Sequence, residues 1–146
     1  MARTFANAIN ASHLQILSLT SNQLMSDAFI EEFLPALTSI HLRELHLSAM
    51  NITSHSLPYI KEYISSSRCK LNVLKCNGNS LGLHAVHSII QAAGLYNYSL
   101  ITLELHSNHL MDVEEDMDKD FMVKIQWTYG RSALLQLSAS FFVTSN

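Results

Sequence analysis

An α/β solenoid, with a curved parallel sheet and helices on its convex side, is predicted by three features of the sequence, which together imply about four or five right-handed strand–helix units. The first is a spacing. Leu100, Leu103, Leu105, Asn108 and Leu110 stand in the order L-x-x-L-x-L-x-x-N-x-L, and the same offsets recur at Leu71, Leu74, Cys76, Asn79 and Leu81 and at Leu14, Leu17, Leu19, Asn22 and Leu24. A weaker copy has Leu42, Leu45, Leu47 and Ile52, with Met50 where the Asn belongs and Asn51 displaced by one. The second feature is the period: the copies start at 14, 42, 71 and 100, intervals of 28, 29 and 29 residues. The third is the character of the connections, whose apolar residues recur at helical spacing.

Each unit would supply one strand and one crossover helix, and neither can bury its apolar face alone. Stacking the units solves that. The strand leucines then point between sheet and helices, while Asn22, Asn79 and Asn108 are expected to be structural, their amides bonding backbone groups in the bend after each strand. On these residues the sequence resembles leucine-rich-repeat proteins of the ribonuclease-inhibitor-like class, over roughly residues 3 to 142. The resemblance implies a horseshoe of alternating strands and helices. It also implies a module that binds other proteins.

Taken in order, residues 3 to 10 read as the end of a helix, because Phe5 and Ile9 precede Leu14 by the offsets at which Phe33 and Leu37 precede Leu42. The chain is therefore expected to be one domain, residues 1–146, forming a piece of a longer array. Ser26 to Ser39 carries Phe29, Ile30, Phe33, Leu34 and Leu37 on one stripe, with Pro35 expected to kink or stop the helix. The next crossover uses Leu57, Ile60 and Ile64, with Pro58 tolerable in the first turn. In the third, Val86, Ile89, Ile90 and Ala93 line one face, and Gly94 is the expected left-handed cap. Residues 112–120 read D-V-E-E-D-M-D-K-D and break the pattern as an acidic insertion. A fifth parallel strand is expected at Leu135 and Leu137, with Val123 and Trp127 on the helix before it.

Composition bounds the function. The chain is 48% hydrophobic and only 14% charged, with a net charge of −3 and no basic stripe, so nucleic acid is not an expected partner. No apolar run reaches the roughly 20 residues of a membrane span, and residues 1–7 lack the apolar core of a signal peptide, so the reading is no membrane and a cytoplasmic location. Cys69 and Cys76 lie too far apart along an extended segment to bridge, and both should be reduced. Sequons at Asn10, Asn51 and Asn97 are expected to be silent.

Side chains alternating with the strand leucines should face the open concave side. They form columns across the sheet. One runs Ile16, Glu44, Val73, Thr102 and Leu134, the next Ser18, His46, Lys75, Glu104 and Gln136, and the third Thr20, Ser48, Asn77, His106 and Ser138. Strand neighbours in a column sit about 4.8 Å apart, so Lys75 and Glu104 should pair. The candidate partner-binding residues are Glu44, His46, Lys75, Asn77, Glu104 and His106. A polar sheet face exposed only to solvent is an equally good reading of them.

No catalytic set emerges, and neither a metal nor a cofactor is expected. His46 and His106 would lie two strands apart, about 10 Å, too far for one zinc. His84 and His87 have helical spacing but no third ligand nearby, and the acidic stretch lacks the Gly and terminal Glu of a calcium loop. Asn77-Gly78-Asn79 belongs to the bend. The expected function is thus a protein-binding scaffold that uses its concave strands, with an unidentified protein partner and self-association through open solenoid ends. The alternative is a recognition or regulatory part of a ubiquitin-ligase or small-GTPase-activating system, although Arg43, Arg68 and Arg131 do not stand at a bend as an activating arginine would. Met50 marks the second unit as the expected weak joint, to be strengthened by Met50→Asn.

Overall fold

A computed structural model describes residues 1–109, 121–127 and 140–145. Helix α1 (Ala2–Asn10) buries Ala2, Ala6 and Ile9, one face at spacings of four and three. Phe5, from the same helix, stacks on Phe33 with ring centroids 5.8 Å apart. There follow β1 (Ile16–Ser18), α2 (Ser26–Ala36), β2 (Glu44–His46), a 3-10 turn at Ser54–Ser56, α3 (Leu57–Ser65), β3 (Val73–Lys75), α4 (Gly82–Tyr96), β4 (Thr102–Glu104), β5 (Phe121–Gln126) and β6 (Ser140–Ser145).

The six strands form one sheet in the order β1-β2-β3-β4-β5-β6. From β1 to β4 they are parallel, with Leu17, Leu45, Leu74 and Leu103 in register and buried. β5 then pairs antiparallel with β4, setting Ile125 against Leu103, and β6 pairs antiparallel with β5. The sheet is therefore mixed, and this corrects the all-parallel, four-to-five-unit solenoid expected from the period. Residues 124–127 show why the pattern turns. Ile125 and Trp127 are buried while Lys124 and Gln126 are not, the period-two alternation of a strand rather than a helix. Trp127 is thus beside a strand, where helical offsets had placed it on a crossover. The expected fifth strand at Leu135 and Leu137, and the acidic stretch 112–120, lie outside the described residues.

Helix α2 ends one residue beyond Pro35, with Leu37 extended. α4 runs through Gly94 and stops at Asn97, which corrects the expected glycine cap. The Asn97 side chain does the capping: its Oδ1 accepts from the Ser99 and Leu100 N–H groups at 2.9 and 2.8 Å, and its Nδ2 donates to the Ile64 carbonyl at 3.0 Å. Asn10 plays a similar part between α1 and α2, donating to the Ala36 carbonyl and accepting from the Thr38 N–H, both at 2.8 Å. Two of the three sequon asparagines are therefore structural joints.

After each of β1 to β4 the chain passes through a left-handed residue: Ser21 (φ 69°), Ala49 (51°), Gly78 (65°) and Ser107 (54°). Only glycine adopts this without a Cβ penalty. Just beyond stands the Asn position, and its amide reaches backward. Asn79 Oδ1 accepts from the Met50 and Ile52 N–H groups at 3.0 and 3.1 Å, and its Nδ2 donates to the Leu47 carbonyl at 2.9 Å. Asn108 repeats the contact one unit on, accepting from the Leu81 N–H at 3.3 Å and donating to the Cys76 carbonyl at 3.0 Å. Each amide thus serves the bend of the unit before its own. The second bend, expected to be weak because of Met50, is satisfied by Asn79, and it is the first bend, which Met50 would have to serve, that goes without. Asn22 is exposed and, among the described residues, its side chain bonds only its own strand, to the Leu19 carbonyl at 2.8 Å.

Candidate protein-binding face

The sheet face opposite the helices is built by the alternation of β2, β3 and β4, whose central leucines are buried and whose flanking side chains are half-buried. All six predicted residues lie there. Within β2, Glu44 Oε2 and His46 Nε2 are 3.2 Å apart. Across β3 and β4, Glu104 gathers two partners: Lys75 Nζ at 3.8 Å and Asn77 Nδ2, which donates at 3.1 Å. Asn77 Oδ1 in turn accepts from the His106 N–H at 2.8 Å. The expected Lys75–Glu104 pair therefore forms part of a small network. Such a half-exposed pair contributes no more than about 1 kcal/mol.

The face divides into the Glu44–His46 pair and the cluster of Lys75, Asn77, Glu104 and His106. The Nε2 of His106 is buried and has no hydrogen-bond partner among the described residues. Nor does any group of three His, Cys, Asp or Glu among them hold a metal-binding arrangement. Leu134, Gln136 and Ser138, expected to complete the columns, lie outside the described residues. Lys124 and Gln126 stand in register with Glu104 and Thr102 instead. Their alternation with Ile125 and Trp127 was the signal that could have placed them.

Other polar residues join units rather than face outward. Asp27 of α2 accepts from the Thr53 N–H at 2.9 Å, the Thr53 hydroxyl at 2.6 Å and the Ser56 hydroxyl. Burial alone would raise its pKa, but the bonds from Ser56 and Thr53 outweigh this and hold it below the ordinary value. Arg68 grips Glu62 with two bonds of 2.8 and 2.7 Å, and also donates to the Leu37 and Leu34 carbonyls at the end of α2. Arg68 is thus a helix cap. Cys69 and Cys76 are free and buried, and burial pushes the Cys76 thiol up to about 12.

No protein-family model matches the chain, and no curated protein matches it in sequence. Solved structures do match. The tropomodulin C-terminal domain of Caenorhabditis elegans superposes with a TM-score of 0.65 at 19% identity, over 80% of this chain and 72% of that one. Leiomodin-1 Actin-Binding Site 2 superposes with the same TM-score of 0.65 at 16% identity, over 80% of this chain and 67% of that one. At these identities the likeness establishes the fold, a small α/β domain of the tropomodulin and leiomodin C-terminal type. It overturns the ribonuclease-inhibitor-like resemblance, and with it the inference of a generic concave scaffold or of a ubiquitin-ligase or GTPase-activating role. The leucine spacing reports local strand–bend geometry, and geometry of that kind does not specify which architecture or function surrounds it.

Proposed function

We propose that this chain is a non-enzymatic actin-binding domain. The reading is carried by one observation, the superposition of four-fifths of the chain on a leiomodin domain whose stated role is actin binding. A cytoplasmic location goes with it. Among the described residues no helix is long and apolar enough to cross a membrane. The contact surface in this proposal is the open sheet face carrying Glu44, His46, Lys75, Asn77, Glu104 and His106, where Lys75 is a partly exposed cation that another protein could reach. Residues 1–146 act in this proposal as one domain.

Co-sedimentation with actin filaments, paired with fluorescence titration of monomeric actin, tests the reading. Saturable binding to either form is expected. Lys75→Glu should weaken it roughly tenfold, the effect of juxtaposing like charges in a contact. Absence of binding to both forms contradicts the proposal, while binding unaffected by Lys75→Glu moves the contact off this face.

A further inference from the structure

We propose that Asn77–Gly78 is a site of spontaneous covalent conversion, held shut by the end of β4, at which opening of the β3–β4 seam is recorded in the backbone. Of the ten asparagines in the chain, Asn77 is the one followed by glycine. A glycine has no side chain to shield its nitrogen. Once deprotonated, that nitrogen can attack Cγ of the Asn77 side chain. The new N–Cγ bond closes a five-membered imide, the Cγ–Nδ2 bond breaks, and Nδ2 leaves as ammonia, taking up the equivalent of the proton lost from the Gly78 amide. Water then opens the imide at one of its two carbonyls. Attack at Cγ leaves an ordinary aspartate, whereas attack at the main-chain carbonyl leaves isoaspartate, in which the chain runs through Cβ and Cγ. The balance is one side-chain amide and water giving one carboxylate and ammonium, with nothing oxidised or reduced.

One strand end holds every group this reaction needs. The Gly78 N–H, source of the nucleophile, donates to the His106 carbonyl at 2.8 Å. Asn77 Oδ1, on the carbon to be attacked, accepts from the His106 N–H at 2.8 Å, and Nδ2, the leaving group, donates to Glu104 Oε1 at 3.1 Å. The Cys76 N–H donates to the Glu104 carbonyl at 2.9 Å, so all four bonds cross between residues 76–78 and 104–106. From the β2 side, Asn77 is held independently, by Ser48 Oγ on its N–H at 3.0 Å and by the Ala49 N–H on its carbonyl at 2.8 Å. Parting of residues 104–106 from 76–78 therefore frees nucleophile, electrophile and leaving group together, and a closed seam frees none of them.

Conversion also prevents the seam from closing as before. A carboxylate at position 77 has no N–H to give Glu104 and sets two acidic groups where a hydrogen bond stood. Isoaspartate further lengthens the backbone between β3 and Asn79 by a methylene carbon. The Asn79 amide then no longer lands on the Met50 and Ile52 N–H groups, and a change in the third unit undoes the second bend. The inference does not rest on the actin reading, because it concerns a bond within the chain and is read without a partner.

In the native chain the conversion should run at the rate of an unstructured peptide multiplied by the fraction of time the seam is open. The full chain and the synthetic peptide Leu-Lys-Cys-Asn-Gly-Asn-Ser are incubated in the same mildly alkaline, reducing buffer, and isoaspartate is followed by peptide mapping. Hydrogen exchange in that buffer gives the protection of the Gly78 amide. The native chain is expected to convert more slowly than the peptide by the Gly78 protection factor, within about fivefold. A larger departure in either direction, or conversion at another asparagine ahead of Asn77, overturns the proposal. The isoaspartate form, purified by ion exchange, should lose the protection of the Met50 and Ile52 amides, which Asn77→Asp, with its ordinary backbone, should keep. Equal protection in those two forms overturns the claim that the lengthened backbone releases the bend.

Discussion

The first and second bends of this protein differ by one amide, and the difference shows what the Asn position does. In the second bend, Met50 and Ile52 are buried and their N–H groups end on Asn79. In the first, Asn22 and Leu24 hold the equivalent places, and Leu24 is fully exposed. The residue that would clamp them is Met50, whose thioether cannot accept two backbone donors as an amide carbonyl does. An apolar side chain at that point fills the core but leaves the preceding bend to water. Order in this fold is therefore passed backward, from each unit to the one before it.

The largest expected effect follows from removing the clamp that exists. Asn79→Ala leaves two buried N–H groups and the Leu47 carbonyl without it, and should cost about 2–4 kcal/mol in urea unfolding, whereas Asn22→Ala should cost under about 1 kcal/mol. Equal losses would break the comparison. Met50→Asn is the next test. The buried methionine loses about 1–3 kcal/mol of apolar burial, and the bend it would serve is already solvated, so the variant should be less stable despite its better match to the pattern. A raised melting temperature would show that the first bend wants an amide more than the core wants a methionine.

These two positions mark how much was legible. The period, the four parallel strands, the core leucines and the placing of all six sheet-face residues follow from spacing, because alternation along a strand fixes which side chains are buried. The direction in which the amide reaches does not. A pattern of offsets says that Asn79 belongs to the third unit, while its partners Met50 and Ile52, 29 and 27 residues earlier, are set by how units stack. β5 was missed for a related reason: Val123 and Trp127 fit helical offsets as well as strand alternation, and extending the period chose the wrong one. The architecture around the units lay beyond local spacing altogether, as did Asp27, Asn97 and Arg68, whose roles depend on neighbours distant in sequence.

Smaller effects sharpen the backbone side of the comparison. Gly78→Ala should cost about 1–2 kcal/mol, since its φ of 65° penalises a Cβ although the nearest atom to one is 3.9 Å away. Ala49→Gly, at φ 51°, should gain up to about 1 kcal/mol by relieving the same penalty. Chemical denaturation reads both, and a loss on Ala49→Gly would mean that its methyl packs more than it strains.

The smallest effect is one of pH. The pKa of Asp27 is lower in the folded chain than its ordinary 3.8, so its contribution to stability is present above that value and is lost as pH falls through the folded pKa. The urea midpoint should therefore decline below about pH 4 more steeply in the native chain than in Asp27→Asn. Parallel declines would remove Asp27 as the joint between α2 and the turn at Ser54–Ser56.

Native-state hydrogen exchange, resolved by residue, tests the backward clamp most directly. The Met50 and Ile52 amides should exchange only through global unfolding, and those of Asn22 and Leu24 at rates close to an unstructured peptide. In Asn79→Ala, the protection of Met50 and Ile52 should fall to that of the first bend while Leu81 keeps its own. Protection at Leu24 equal to that at Ile52 in the native chain, or unchanged protection of Ile52 without Asn79, would contradict the account.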